Sequence, residues 1–314
     1  MVTDVESISR RRLLGVTGAL AGTAALGGSA PSRSTKEKVA LKWLGNNAWE
    51  ITFGATTILI DPWVTRFKTG TYTTGTRPDT PLVTDPVIVD RYISKANLIL
   101  VCHGHFDHMA DVPYVANKTG AAVLGTDSHL NMLRALDTPE SQLTTVRGGE
   151  YLQYDGFTVE VFESLHSLTG GTGPRKQVPF PGYRTGAVPV PQRPKTVADL
   201  VEGGTLAYQI TVGEQFRILA LSTANFIEKA LAGLRPDLAI VAAGGQSVHD
   251  YVARLMRVLD RPTWVLPTHW DDFDYPLSEP AHDFGALPGL QAAVAAASPH
   301  THFVKLDHLE TFTT

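Results

Sequence analysis

The chain has a single cysteine in 314 residues, so no internal disulfide can form. It has no strong charge of either sign: 27 basic residues face 31 acidic ones, for a formal net charge of −4. No basic tract or interleaved basic–aromatic face occurs, which argues against nucleic acid as a bulk partner. No internal repeat or second domain stands out, and no Ser-His-Asp arrangement or phosphate-binding glycine loop offers a catalytic plan. The longest mildly apolar run, 13–28, is interrupted by Gly15, Gly18, Gly22 and Gly27, which makes it weak as a membrane span. What remains is ordinary: 43% apolar and 18% charged residues, enough for one globular domain with a full core.

Residues 1–30 do not belong to that domain. Arg10-Arg11-Arg12 precedes the mild apolar run and reads as a twin-arginine-type export signal. Gly28-Ser29-Ala30 resembles a cleavage site, although Pro31 follows it awkwardly. The expectation is a domain over 37–314, exported across the cytoplasmic membrane to the periplasm, cell envelope or medium, with no stable membrane span after signal removal.

Within the domain, short β-rich runs at 39–43, 48–53 and 56–61 open the chain, with Gly54-Ala55 as a tight hairpin turn. A Thr/Gly/Pro-rich loop covers 65–84. Asp85-Pro86 reads as an N-cap with proline at the first helical position, starting a helix over 86–95. Strands are then expected at 97–101, 122–125, 143–146, 157–163, 206–212, 216–221, 238–242, 263–266 and 302–306. Helices are expected at 111–118, 128–136, 226–234, 248–259 and 287–297. This alternation is α/β, with helices outside a sheet sandwich.

The chemistry concentrates in Val101-Cys102-His103-Gly104-His105-Phe106-Asp107-His108, which follows the apolar run 97–101. His103 and His105, two apart, can face one cation, and Asp107 and His108 can face a second. Imidazole mixed with carboxylate suits Zn²⁺, and also Fe or Mn. Cys102 lies on the buried strand, where its thiol packs in the core. His249 reads as a capping or surface residue, and His282, His300, His302 and His308 show no ligand spacing.

His103-Gly104-His105-Phe106-Asp107-His108 resembles the signature of the metallo-β-lactamase-fold hydrolases. Three later positions extend the resemblance: Asp61 in Ile60-Asp61-Pro62-Trp63, His166 in Ser164-Leu165-His166, and His269 in Pro267-Thr268-His269. The resemblance covers about 40–275 and implies a four-layer αββα sandwich. It implies a first metal on His103, His105 and His166, and a second on Asp107, His108 and His269. Asp107 is then the candidate general base, and Asp61 a residue acting behind the ligands. One position departs from the family. Where a bridging aspartate is expected after a strand, this chain has Ser222, in Leu221-Ser222-Thr223. A hydroxyl does not hold two cations as a carboxylate does, so the site holds one or two ions, and Asp271 or Asn225 is a candidate replacement.

Leu44-Gly45-Asn46-Asn47-Ala48-Trp49 followed by Asp61-Pro62-Trp63 resembles the branch containing ascorbate-phosphate lactonases and N-acyl-phosphatidylethanolamine phospholipases D. That implies hydrolysis of an ester-type bond, phosphodiester or lactone, in a small-molecule or lipid-like substrate. The competing expectation is a metal-binding protein without turnover, its catalysis lost with the bridging aspartate. The Pro/Gly-rich stretch 167–204 leaves His166 directly and reads as a pocket wall, with Phe180, Tyr183, Arg175 and Arg184 able to make contacts.

Overall fold

Apolar runs too continuous for a half-exposed strand mark the centre of this fold. Within 56–60 and 98–100, Ile58, Ile60, Leu98 and Leu100 enter one core cluster, whereas Leu59 and Ile99 enter another. Side chains alternate across a strand, so such a run is a strand covered on both faces.

The computed structural model describes residues 38–168, 192–213, 216–245 and 248–314. The export signal expected at 1–30, and Arg175, Phe180, Tyr183 and Arg184, lie outside the described residues. Glu37–Thr314 forms one compact unit. Its first half supplies β1 (Ala40–Trp43), β2 (Trp49–Phe53), β3 (Thr56–Ile60), α1 (Pro86–Tyr92), β4 (Leu98–Leu100), α2 (Phe106–Met109), α3 (Val112–Thr119), β5 (Ala122–Gly125), α4 (Asp127–Ala135) and β6 (Leu143–Thr145). Its second half supplies β7 (Tyr151–Tyr154), β8 (Phe157–Glu163), β9 (Leu206–Val212), β10 (Phe216–Ala220), α5 (Glu228–Leu231), β11 (Leu238–Ala242), α6 (Tyr251–Val258), β12 (Trp264–Thr268), α7 (Leu287–Ala297), β13 (His302–Phe303) and β14 (Thr311–Thr313).

The strands form two sheets, ordered β14-β1-β2-β3-β4-β5-β6 and β13-β12-β11-β10-β9-β8-β7. Each sheet joins an antiparallel half to a parallel half. Pairing is parallel from β3 to β6 and from β10 to β13, and antiparallel elsewhere. The two halves of the chain therefore repeat one topology that the sequence does not display. The strand after each half crosses over: β7 joins the edge beside β8, and β14 joins the edge beside β1. One face of the first sheet packs toward the second sheet. Its other face packs on Val89 of α1, Val112 and Val115 of α3, and Leu130 and Leu133 of α4. Leu255 and Met256 of α6 and Leu290 and Val294 of α7 join the core that contains the second sheet. The result is the expected four-layer αββα sandwich.

Several boundaries differ from the sequence expectations, each for a local reason. The helix expected at 226–234 is one turn, Glu228–Leu231. Asn225 ties down Phe226 N with its side chain, and Gly233 takes φ 90. The helix expected from 248 starts at Tyr251, because Asp250 sits at φ 47. The last expected strand pairs only over His302–Phe303. β7 and β14 escaped notice because both are short edge strands with mostly exposed side chains. The cap at Asp85 is present, its carboxylate accepting from Val87 N at 2.8 Å.

Candidate metal centre

Parallel pairing brings strand ends to one edge, and the candidate site is built there. Asp61 follows β3, the His103–His108 segment follows β4, Ser222 follows β10 and His269 follows β12. His166 lies three residues past β8. After β4 the chain passes close to another segment: Gly104 N donates to Glu202 O at 2.9 Å. A Cβ on Gly104 would lie 2.3 Å from Val201 O, so only glycine fits between the two histidines. His105 then caps the single turn of α2, which carries Asp107 and His108. Phe106 anchors that turn by edge contacts to Trp63 and Phe273, centroids 5.6 and 6.1 Å apart.

The six expected ligands fall into two groups. Donor atoms of His103, His105 and His166 lie within 4.8 Å of one another, and so do those of Asp107, His108 and His269. In the second group Asp107 Oδ2 is 3.3 Å from His108 Nε2 and 3.2 Å from His269 Nε2. Tetrahedral ligation at about 2.0–2.1 Å requires edges of roughly 3.3 Å, so these residues fit a cation. The groups abut, with the His103 and His108 rings 3.7 Å apart.

Behind the ligands stands a layer of hydrogen-bond partners. His108 Nδ1 donates to Asp61 Oδ2 at 2.7 Å, which turns Nε2 toward Asp107. Asp61 is itself fixed by Cys102 N at 2.7 Å and Asn47 Nδ2 at 2.8 Å. His166 Nδ1 donates to Ser167 O at 3.0 Å. His103 Nδ1 lies 3.3 Å from Ser222 Oγ, and His269 Nδ1 lies 3.4 Å from the Tyr72 hydroxyl.

Asn46 joins the two halves of the site. Its carbonyl accepts from Trp43 Nε1, His269 N and the Thr268 hydroxyl, and its amide nitrogen donates to Asp107 O at 2.6 Å. Asn46, Asp61 and His269 all adopt positive φ, at 46°, 41° and 53°. Such backbone is uncommon for non-glycine residues and clusters at functional sites.

Charge follows from this packing. Burial holds the imidazoles of His103, His105 and His166 below their ordinary range, in the neutral form that binds metal. Burial works against the charge of His108, but the carboxylates of Asp107 and Asp61 override it and raise its pKa to about 10. Burial likewise opposes ionisation of Asp107, yet His108 and His269 outweigh it and hold that carboxyl well below the usual range.

All the expected site residues therefore come together, Asp61 behind the ligands and Ser222 beside His103. The candidate replacements for the missing bridge do not. Asp271 is fully buried and committed to Arg66 Nη2 at 2.7 Å and His308 Nε2 at 2.9 Å. Asn225 is spent on Phe226 N and His166 O. His249 and His282 lie at the surface. Cys102 is buried and belongs to neither donor group. Asn46 and Asn47, quoted above only for the branch resemblance, and Tyr72 and the buried His129, whose Nε2 lies 2.9 Å from Glu202 O, were not named as site residues from sequence. Asn-Asn in the first turn of the domain was the available signal.

His103, His105, Asp107, His166 and His269 floor a cavity of about 230 Å³. Its walls combine Phe106, Phe273, Phe284 and Leu168 with the hydroxyls of Tyr72 and Thr223. Tyr72 stacks on Phe284 at 4.2 Å, and its loop is pinned by the Asp274 carboxylate, which accepts from Thr69 N and Gly70 N, both at 2.7 Å.

Residues 40–269 match the family model described as a beta-lactamase superfamily domain. A UPF0173 metal-dependent hydrolase of Myxococcus xanthus is 27% identical over 293 residues, 91% of each chain. Among solved structures, the metallo-beta-lactamase fold protein YhfI from Bacillus subtilis aligns with a TM-score of 0.55 at 12% identity, over 89% of this chain and 100% of its own. An isothiocyanate hydrolase from Delia radicum gut bacteria aligns at 0.57 and 14% identity, over 88% of this chain and 100% of its own. Both likenesses bear on the fold.

Proposed function

Because the chain belongs to the beta-lactamase superfamily, we propose that it is a metal-dependent hydrolase acting on an ester-type bond, phosphodiester or lactone, of a small or lipid-like substrate. The observation that carries this reading is the convergence of six ligand-type side chains in two groups of three, five of them lining one cavity and His108 buried behind it. The relatives named metal-dependent hydrolase support the general activity. The ester-type bond rests on the sequence resemblance alone.

A divalent cation bound there, zinc in our reading and iron or manganese as alternatives, supplies Lewis acidity and makes water nucleophilic near neutral pH. His103, His105 and His166 would hold one ion, and Asp107, His108 and His269 another. Asp107, ionised and at the cavity floor, orients the attacking water and accepts its proton at a carboxylate oxygen. Asp61 keeps His108 in the tautomer that leaves Nε2 free to ligate. Phe106, Phe273 and Phe284 exclude bulk water and offer an apolar wall to the substrate.

Ser222, standing where the family places a bridging carboxylate, favours a second reading: a metal-binding member without turnover. One assay separates the two. Zinc-loaded protein is offered bis(p-nitrophenyl) phosphate and a short-chain lactone, beside a His105→Ala control. Turnover lost in the control supports the hydrolase. Protein that binds metal but turns over neither substrate supports the second reading. We further propose export through the twin-arginine-type segment, supported by Arg10–Arg12 and the apolar run after them. No described helix is long and apolar enough to cross a membrane. N-terminal sequencing of protein recovered outside the cytoplasm tests the export.

A further inference from the structure

The C-terminal segment reaches back beneath the candidate metal centre, and it does so through one buried ring. We propose that His308 is a fixed imidazolium, the second cation of a buried cluster around Asp271, and that it positions Asp107 and His269 from behind. The positioning half of the proposal rests on the metal-dependent reading above; the charge of the ring does not.

Hydrogen-bond accounting carries the charge. The His308 side chain is 2% exposed. Its Nε2 stands 2.9 Å from Asp271 Oδ2, and its Nδ1 stands 2.7 Å from Glu279 O. A carbonyl oxygen can only accept. So can Asp271, an ionised carboxylate whose Oδ2 takes Arg66 Nη2 at 2.7 Å and whose Oδ1 takes Asn46 N at 2.9 Å. A neutral imidazole has one N–H, so either tautomer would set a ring lone pair against a buried oxygen less than 3 Å away. Only the doubly protonated ring satisfies both partners. The Trp43 indole lies beside it, with ring centroids 5.3 Å apart, within the range at which an aromatic face attracts a cation.

The same cluster leads to the ligands by a short chain of bonds. His308 and Arg66 fix Asp271, and Asp271 Oδ1 holds Asn46 N. Asn46 O then accepts from His269 N at 2.9 Å, and Asn46 Nδ2 donates to Asp107 O at 2.6 Å. Asn46 sits at φ 46, a backbone form that persists only where the surroundings enforce it. Arg66 comes from the loop after β3 and also binds Tyr275 O and Asp272 O. His308 comes from the segment between β13 and β14 and ties the same carboxylate to Glu279 O. Asp271 is thus clamped from two distant parts of the chain, and Asn46 passes that order to one ligand in each direction.

The test uses full-length protein with ¹⁵N-labelled histidine, stripped of metal by a chelator. Ring spectra at neutral pH should show His308, assigned by its loss in His308→Lys, with a proton on both ring nitrogens. A neutral ring would overturn the proposal. Titration with Co²⁺, read by visible absorption, then tests the positioning. His308→Gln should weaken Co²⁺ binding about 10-fold and change the absorption spectrum. His308→Lys, which restores the charge and the donors, should recover most of that loss. Val294→Ala, a buried change in α7 outside this chain of bonds, should lower the unfolding temperature and leave affinity and spectrum as in wild type. Wild-type affinity in His308→Gln, no recovery in His308→Lys, or an equal loss in Val294→Ala would each overturn the positioning. Where His308→Gln does not fold, a folded His308→Lys at wild-type affinity supports the proposal and one weakened 10-fold overturns it. Wild-type protein that takes up no Co²⁺ would instead remove the metal-dependent reading, while the ring spectrum still decides the charge.

Discussion

Asp61→Asn changes one atom and tests how the site is held. The carboxylate is fully buried and accepts three hydrogen bonds: Cys102 N on Oδ1, and Asn47 Nδ2 and His108 Nδ1 on Oδ2, all at 2.7–2.8 Å. An asparagine fills the same volume but must turn a donor toward one side. Facing Asn47 and His108, its amide nitrogen would leave two buried donors unmet. Facing Cys102, it leaves one, so this orientation wins at a cost of about 1–3 kcal/mol. The bond to His108 survives but loses its charge, and charge-assisted bonds are roughly twice as strong as neutral ones. Together these give an expected loss of about 2–4 kcal/mol in the metal-free protein, against about 5–15 kcal/mol for a typical domain. Metal affinity should fall about 10–100-fold, the usual consequence of removing a ligand's outer partner. Urea denaturation of chelator-treated protein reads the first, and competition with a chromogenic zinc chelator reads the second. A variant matching wild type in both would show that Asp61 does not hold His108, and the account of the site would fail at its base.

Three further outcomes follow from the same structure. Asp271→Ala leaves the guanidinium of Arg66, whose side chain is 0% exposed, buried without its carboxylate. It should cost about 3–5 kcal/mol in denaturant titration, and a loss below 1 kcal/mol would contradict the burial of the pair. Gly104→Ala brings a methyl against Val201 O, so His103 and His105 must shift. Stoichiometry measured after desalting should show the loss of at least one ion, and full retention would show that the strap at 201–202 gives way. Asp111 is raised by burial to about 6 from 3.8. The native state thus binds this proton more tightly, and its stabilising contribution is full below pH 4 and lost as pH rises through 6. That difference corresponds to about 3 kcal/mol. In Asp111→Asn one oxygen can still accept from Val64 N and Thr65 N, both at 2.8 Å, and the amide can donate to the Thr65 hydroxyl. That variant should gain on wild type between pH 4.5 and pH 7 in urea titrations, and a difference unchanged across that range would refute the shift.

What the sequence discloses and what it hides divide along physical lines. β3 and β4 were readable because Ile58-Leu59-Ile60 and Leu98-Ile99-Leu100 are apolar on both faces, as strands covered on both sides are. The ligand run was readable because three imidazoles and a carboxylate in six residues are costly unless something binds them. β7 was not, because an edge strand such as Tyr151–Tyr154, with three of four residues exposed, carries too little apolar pattern to separate from a turn. The repeat of one topology in both sheets was hidden for a related reason: topology is carried by backbone pairing, and the two halves reach it with different side chains.

The supporting layer of the site is the harder case. Asn46, Tyr72 and His308 are residue types found on any surface, and their partners lie far along the chain: Asn46 N reaches Asp271 across 225 residues, Tyr72 reaches His269 across 197, and Asn46 Nδ2 reaches Asp107 across 61. The first two bonds exist only once the two sheets stand side by side, and the third only once β1 and β4 lie in one sheet, so no local pattern encodes them. Ser222 shows the limit from the other side. Its register placed it at the site, but a hydroxyl can ligate, bridge weakly or serve as a partner, and sequence does not choose among these. The structure sets its oxygen 3.3 Å from His103 Nδ1. A hydroxyl placed there helps to fix the tautomer and orientation of the His103 ring.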